Sequence, residues 1–146
     1  MKTNFNQIKD ILQKHPVEIA YLYGSFAEGT PRPWSDIDVA LIVDDSNTRQ
    51  SNLDLEMTIS KEIDAVGIVE KHESDVRIIN QAPLNYKIQI VQNGKLIYSK
   101  NERRRVEFET TVRDEYFDFL PKREEFRKAL FSGIKKGGLL WSTQKK

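Results

Sequence analysis

The chain has 146 residues, and its 23 basic and 22 acidic side chains leave a formal charge of +1. That balance argues against a protein that coats nucleic acid, so we expect no direct DNA binding. The absence of cysteine excludes disulfides, thiolate catalysis and cysteine-bound zinc. No apolar stretch reaches the roughly 18 residues of a membrane span, so we expect a cytoplasmic protein without a membrane partner.

The hydrophobic pattern predicts alternating helices and strands. In chain order it indicates a helix over 4–14, a strand over 17–23, a helical turn over 26–28, a strand over 36–43, a helix over 51–66, a strand over 74–79, a helix over 83–92, a strand over 96–99 and a helix over 102–120. Pro16 ends the first helix because the residue before a proline avoids the α region. Pro121 stops or kinks the last one, and a further helix containing Phe126, Leu130 and Ile134 follows.

This alternation indicates an α/β fold in two layers. We divide the chain into a domain over residues 1–100 and a helical C-terminal extension over 101–146, both in one compact unit. The domain carries 11 basic and 14 acidic side chains, whereas the extension carries 12 and 8. An acidic body with a basic extension is consistent either with a second role for the extension or with a well-solvated helical face.

The strongest candidates for functional residues lie between positions 24 and 38. Gly24 and Ser25 follow the first strand, where a helical turn would direct backbone N–H groups and the serine hydroxyl toward an anion. Asp36 and Asp38 share one face of the second strand, with Cα atoms about 6.6–6.8 Å apart. Paired carboxylates beside a phosphate cradle suit Mg²⁺ and a nucleotide. The alternative is that both aspartates simply begin a strand at a solvent-exposed edge.

Gly24-Ser25, ten further residues and then Asp36-Ile37-Asp38 resemble the signature of the DNA polymerase β-like nucleotidyltransferase superfamily. The resemblance implies a small mixed β-sheet flanked by helices, the nucleotidyltransferase fold. It also implies a third carboxylate on a following strand, for which Asp75 is the candidate and Glu73 the runner-up.

The same resemblance assigns roles to these residues. Asp36, Asp38 and Asp75 would be catalytic and would hold two Mg²⁺ ions, with ATP as the substrate. Gly24 and Ser25 would bind the nucleotide. Many superfamily members carry a basic residue where this chain has Glu28, and Arg32 is the candidate to replace that phosphate contact.

The short length and the order of elements are similar to the MNT-type antitoxins of HEPN–MNT toxin–antitoxin pairs, and the Tyr116-Phe117-Asp118 element fits their last helix. This likeness implies transfer of AMP from ATP to a tyrosine hydroxyl of a cognate HEPN toxin, an all-helical RNase, which is thereby neutralised. A binding-only antitoxin with an inactive site and a small-molecule, aminoglycoside-type nucleotidyltransferase remain as alternatives.

The C-terminal segment contains five phenylalanines that would suit either partner docking or core packing. At helical spacing, we expect at least half of them to pack internally. They are Phe108, Phe117, Phe119, Phe126 and Phe131.

Overall fold

The computed structural model describes residues 5–68 and 71–135. The chain forms one compact unit up to Val112 and a second from Arg113 onward. In chain order the elements are α1 (Asn6–Leu12), β1 (Ile19–Tyr23), α2 (Ser25–Glu28), β2 (Ile37–Ile42), α3 (Arg49–Val66), β3 (Ser74–Ile78), α4 (Leu84–Asn93), β4 (Lys95–Ser99) and α5 (Glu102–Lys135).

The first unit is built on a four-stranded sheet in the order β3-β2-β1-β4. Strand β1 runs antiparallel to both β2 and β4, whereas β2 and β3 are parallel and are connected through α3. The sheet is therefore mixed, as the resemblance implied. Together with the flanking helices and the long C-terminal helix, it confirms the predicted fold class.

Both faces of the sheet are covered near its centre. On one face Ala20, Leu22, Val39 and Leu41 are fully or almost fully buried in a cluster that includes residues of α1 and α3. On the other face Tyr21 packs against Phe108 of α5, with ring centroids 6.4 Å apart. Burying a side chain of this size contributes roughly 1.5–3 kcal/mol, so the strands are held in a fixed register.

Helix α3 connects the two parallel strands and has a defined signal at each end. At its start the Thr48 side chain accepts a hydrogen bond from the Ser51 backbone N–H at 3.1 Å. At its end Gly67 adopts a left-handed conformation with φ +64°. These caps fix the length of the crossover that sets β3 beside β2.

The first turns of α5 are tied to β1 and to the residue before it by polar contacts. Arg104 Nε donates to Glu18 Oε2 at 2.9 Å, and the Tyr21 hydroxyl donates to Glu109 Oε1 at 2.7 Å. The arginines of this segment are therefore largely engaged within the chain, since Arg105 also pairs with Glu102 and Glu109.

Of the two outcomes expected at Pro121, a stop or a kink, the stop is wrong, because one helix runs from Glu102 to Lys135 with Pro121 inside it. Proline removes the donor for the carbonyl of Phe117, but both residues are exposed, so water can satisfy that carbonyl. Residues 136–146 of the predicted extension lie outside the described residues. Within the described ranges, no helix is long and apolar enough to cross a membrane.

The aromatic side chains of α5 also differ from expectation. Phe108 is buried in the first unit, but the other four phenylalanines are exposed. The expectation that at least half of them pack internally was therefore wrong. The reason is that helical spacing alone cannot show whether a core is available, and Phe117, Phe119, Phe126 and Phe131 all lie in the second unit.

Candidate active site

A row of polar side chains crosses three neighbouring strands at one end of the sheet. Tyr23 is the register partner of Asp38 across the antiparallel β1–β2 pair, and Asp38 is the register partner of Asp75 across the parallel β2–β3 pair. Residues directly opposite in a sheet project from the same face. The structure therefore brings Asp38 and Asp75 together on one face.

Gly24 lies against this row and cannot be replaced without cost. Its φ of +72° and ψ of −156° belong to a region that is essentially restricted to glycine. A Cβ atom at this position would overlap Asp38 Oδ2. Helix α2 begins at the next residue, Ser25, so that serine directly follows the glycine that lies against the Asp38 carboxylate.

The environment of Asp38 disfavours the negatively charged form of its carboxyl group. Burial, and after it the nearby carboxylates of Asp75 and Asp36, raise the pKa of Asp38 to about 6, although the positive charge of Arg77 acts in the opposite direction. Asp36 precedes β2 by one residue and is exposed. Although it is not in the ladder, it is close enough for its charge to affect Asp38.

Arg77 holds the third carboxylate. Its Nε donates to Asp75 Oδ1 and Oδ2 at 3.2 and 3.3 Å. Asp75 was favoured over Glu73 as the third carboxylate on the sequence, and Asp75 is the one in register with Asp38. The Glu73 carbonyl accepts a hydrogen bond from the Ile37 backbone N–H at 2.8 Å, which starts the parallel pairing.

A cavity of about 520 Å³ opens beside the carboxylates. It is lined by Asp38, Asp75 and Arg77 at its polar end and mainly by apolar residues of the β3–α4 connection elsewhere. The Tyr23 and Tyr86 hydroxyls meet at 2.6 Å on its wall. Burial, followed by this hydrogen bond, raises the pKa of Tyr23 far above its usual value, so the hydroxyl stays protonated.

Tyr23, Tyr86 and Arg77 were missed as site residues by the sequence reasoning. Tyr21 on the same strand is buried, whereas Tyr23 lines the cavity. The available signal was strand alternation, which places Arg77 on the same face as Asp75. Tyr86 carries no such signal, because its position depends on how α4 packs.

Arg32 is placed differently from the other predicted residues. Its guanidinium lies over the ring of Trp34, 5.6 Å from the ring centroid, and its backbone N–H donates to Ser35 Oγ at 2.8 Å. Among the described residues, no recorded contact joins Arg32 to Gly24 or to the aspartates. The phosphate contact predicted for Arg32 therefore depends on a nucleotide reaching this loop.

The donor set suits a hard divalent cation. Across residues 5–68 and 71–135, no group of three or more histidine, aspartate and glutamate side chains is gathered tightly enough to hold a metal by itself. Asp38 and Asp75 nevertheless present two carboxylates in register, and Asp36 lies near them. Oxygen ligands of this kind fit Mg²⁺, which usually takes one or two carboxylates and completes its shell with water and substrate phosphates.

Comparison with known proteins agrees with this geometry. Residues 6–103 match the family model described as polymerase beta, nucleotidyltransferase. That match covers more than half of the chain, and the glycine turn and all three aspartates fall within it. The chain belongs to the polymerase beta nucleotidyltransferase family.

One curated relative is the spectinomycin 9-adenylyltransferase of Campylobacter jejuni, which is 38% identical over 64 residues. The matched region is 44% of this chain but only 25% of that enzyme. The chain thus corresponds to about a quarter of this curated relative.

Solved structures share the fold over most of their length. A chain of a toxin–antitoxin complex with AMP-PNP gives a TM-score of 0.66 at 21% identity, covering 88% of this chain and 98% of that one. A chain of the complex between a tri-AMPylated Shewanella oneidensis HEPN toxin and an MNT antitoxin gives 0.62 at 18% identity, covering 88% and 96%. At these identities the likeness concerns the fold.

Proposed function

We propose that this chain is a Mg²⁺-dependent nucleotidyltransferase antitoxin that transfers AMP from ATP to a tyrosine hydroxyl of a cognate HEPN-domain RNase toxin and thereby neutralises it. The observation that carries the proposal is the pairing of Asp38 with Asp75 beside the Gly24 turn. A divalent cation would relieve the repulsion between the two carboxylates, and the glycine turn brings the Ser25 segment next to Asp38.

In this proposal Asp36, Asp38 and Asp75 hold two divalent ions, and Gly24 and Ser25 bind the β- and γ-phosphates through backbone N–H groups and the serine hydroxyl. When bound, the ions supply charge stabilisation for the attacking and leaving oxygens. Catalysis of phosphoryl chemistry depends mainly on position and electrostatics. The fixed register of β2 and β3 provides that position.

The reaction requires one bond to form and one to break. The tyrosine oxygen of the toxin bonds to the α-phosphorus of ATP, and the bond from that phosphorus to the pyrophosphate oxygen breaks. Asp75 accepts the proton of the attacking hydroxyl. The cavity of about 520 Å³ on the Asp75 side, with its apolar wall, is large enough for an aromatic ring to approach.

The toxin would also need a docking surface in addition to the contacts of its reacting tyrosine. The second unit exposes four phenylalanines on one helix, and the exposed fractions of Phe117 and Phe126 are 62% and 67%. Aromatic side chains dominate binding energy at protein interfaces. We therefore place toxin docking on the exposed phenylalanines of this unit.

The test is to mix the purified chain with ATP, Mg²⁺ and the HEPN protein encoded by the adjacent gene, and to measure the intact mass of that protein. We expect a gain of one or more adenylate units that is lost with EDTA. The Asp38→Asn variant removes a proposed ligand and should abolish the gain. Asp10→Asn, which changes an exposed aspartate of α1, should leave it intact.

A second function is favoured by the spectinomycin 9-adenylyltransferase match. The same mixture with spectinomycin in place of the toxin tests it, and adenylation of the drug alone would support a small-molecule enzyme. Complex formation with the toxin but no mass gain would support a binding-only antitoxin instead. Either result would overturn the proposed transfer to protein.

A further inference from the structure

His72 lies just before β3 and contacts one residue next to the Gly-Ser pair and one next to the Asp-x-Asp motif. Its Nδ1 lies 2.5 Å from the backbone carbonyl of Ser35, the residue before Asp36. Because a carbonyl oxygen only accepts, Nδ1 carries the proton and donates. One end of the imidazole thus fixes the loop that leads into the paired aspartates.

The same ring also contacts the glycine turn. The His72 and Phe26 rings meet edge to face, with centroids 5.2 Å apart and an interplanar angle of 90°. Phe26 follows Ser25 in α2, so this contact fixes the turn proposed to bind phosphate. Edge-to-face pairs have a preferred geometry and therefore restrain orientation as well as distance.

The backbone before His72 is unusual. Lys71 has a φ of +67°, and within the described parts of the chain it is the one residue other than glycine with a positive φ. Such a conformation is uncommon for residues with a Cβ atom and often marks a functional segment. Here it directs the chain so that the next side chain, His72, reaches Ser35 and Phe26.

We infer that His72 is a positioning residue for nucleotidyl transfer, which joins the three segments that carry Ser25, Asp36 and Asp75. The inference rests on the proposed function. His72 makes no described contact with the three aspartates, so it acts through its two neighbours. Loss of the ring should let the segments shift relative to one another, and a shift of about 1 Å can cost up to 10²-fold in rate.

Three variants separate the two contacts. His72→Phe keeps an aromatic ring against Phe26 but loses the donor to Ser35. His72→Asn keeps an amide donor close to the position of Nδ1 but loses the ring. His15→Phe is the matched control, because His15, in the turn after α1, is also part-buried and hydrogen-bonded, to Glu62 of α3 at 2.7 Å, rather than at the site.

The measurements are kcat and KM for ATP in transfer to the toxin, Mn²⁺ affinity by calorimetry without nucleotide, and thermal stability. We expect His72→Phe to lower kcat about tenfold or more and to weaken Mn²⁺ binding, with His72→Asn restoring part of both. Equal losses in His72→Phe and His15→Phe, or wild-type values in His72→Phe, would overturn the inference. Absence of transfer in the wild-type chain would instead count against the proposed function, and Mn²⁺ affinity would still test the role of His72.

Discussion

Gly24→Ala provides a sharp test of the site, because the chain contains a matched control. Gly24 and Gly29 flank α2 and have similar φ values of +72° and +75°. A Cβ atom at Gly24 would overlap Asp38 Oδ2, whereas one at Gly29 would meet nothing within 4 Å. Both alanine variants therefore place a Cβ atom at a positive φ, and only one of them displaces a carboxylate.

The expected costs follow from these conformations. Alanine at Gly29, in the left-handed helical region, costs about 1–2 kcal/mol. At Gly24, where ψ of −156° places the residue in a region essentially reserved for glycine, the cost is of the order of 1–3 kcal/mol. Both are smaller than a typical total stability of about 5–15 kcal/mol, so both variants should remain folded.

The rate of AMP transfer should distinguish Gly24→Ala from Gly29→Ala, although both variants should remain folded. Gly24→Ala pushes the Asp38 carboxylate out of its place, and a misplacement of about 1 Å can reduce the rate 10²-fold. Gly29→Ala should transfer AMP at close to the wild-type rate. The assay measures adenylation of the toxin by intact mass, alongside thermal unfolding of each variant. Equal transfer rates in the two variants would refute the proposed contact between the turn and Asp38.

Three further predictions concern charge and docking. Because burial and the neighbouring carboxylates raise the pKa of Asp38 to about 6 from 3.8, the folded chain binds this proton more tightly than the unfolded chain. The metal-free protein should therefore lose stability as pH rises from 3.8 to about 6, and Asp38→Asn should flatten the plot of melting temperature against pH. Arg77→Gln removes the cation paired with Asp75 and should tighten Mn²⁺ binding severalfold in calorimetry. Phe126→Ser should weaken toxin binding about tenfold or more in a pull-down titration, whereas Glu125→Ala should not.

Much of the fold was predictable because its signals are local. Gly67 and the prolines at 16 and 83 mark element boundaries that the structure keeps to within a few residues. The exception is Pro121, which local rules treat as a helix end. Whether a proline interrupts a helix depends on whether the freed carbonyl can reach water, and the sequence does not show that exposure.

The site was predictable where motif spacing and strand alternation act together. Motif spacing indicated the glycine turn and Asp38, whereas Asp75 was the candidate that the family resemblance implied. Tyr86 has no such signal, because its hydroxyl reaches Tyr23 only through the packing of α4 against the sheet. The position of Arg32 on Trp34 was equally hidden, since a loop with two prolines gives no periodicity from which to infer side-chain direction.

The parallel pairing of β2 with β3 makes the geometry of the carboxylate pair depend on packing in the hydrophobic core. A slip of one residue along β3 would turn Asp75 toward the buried layer and swing Val76 out to solvent. The buried apolar side chains on the opposite face of these strands thus fix the register that places Asp38 next to Asp75. A larger side chain at Val76, for example, would shift β3 and so disturb metal binding, although Val76 is not itself a ligand.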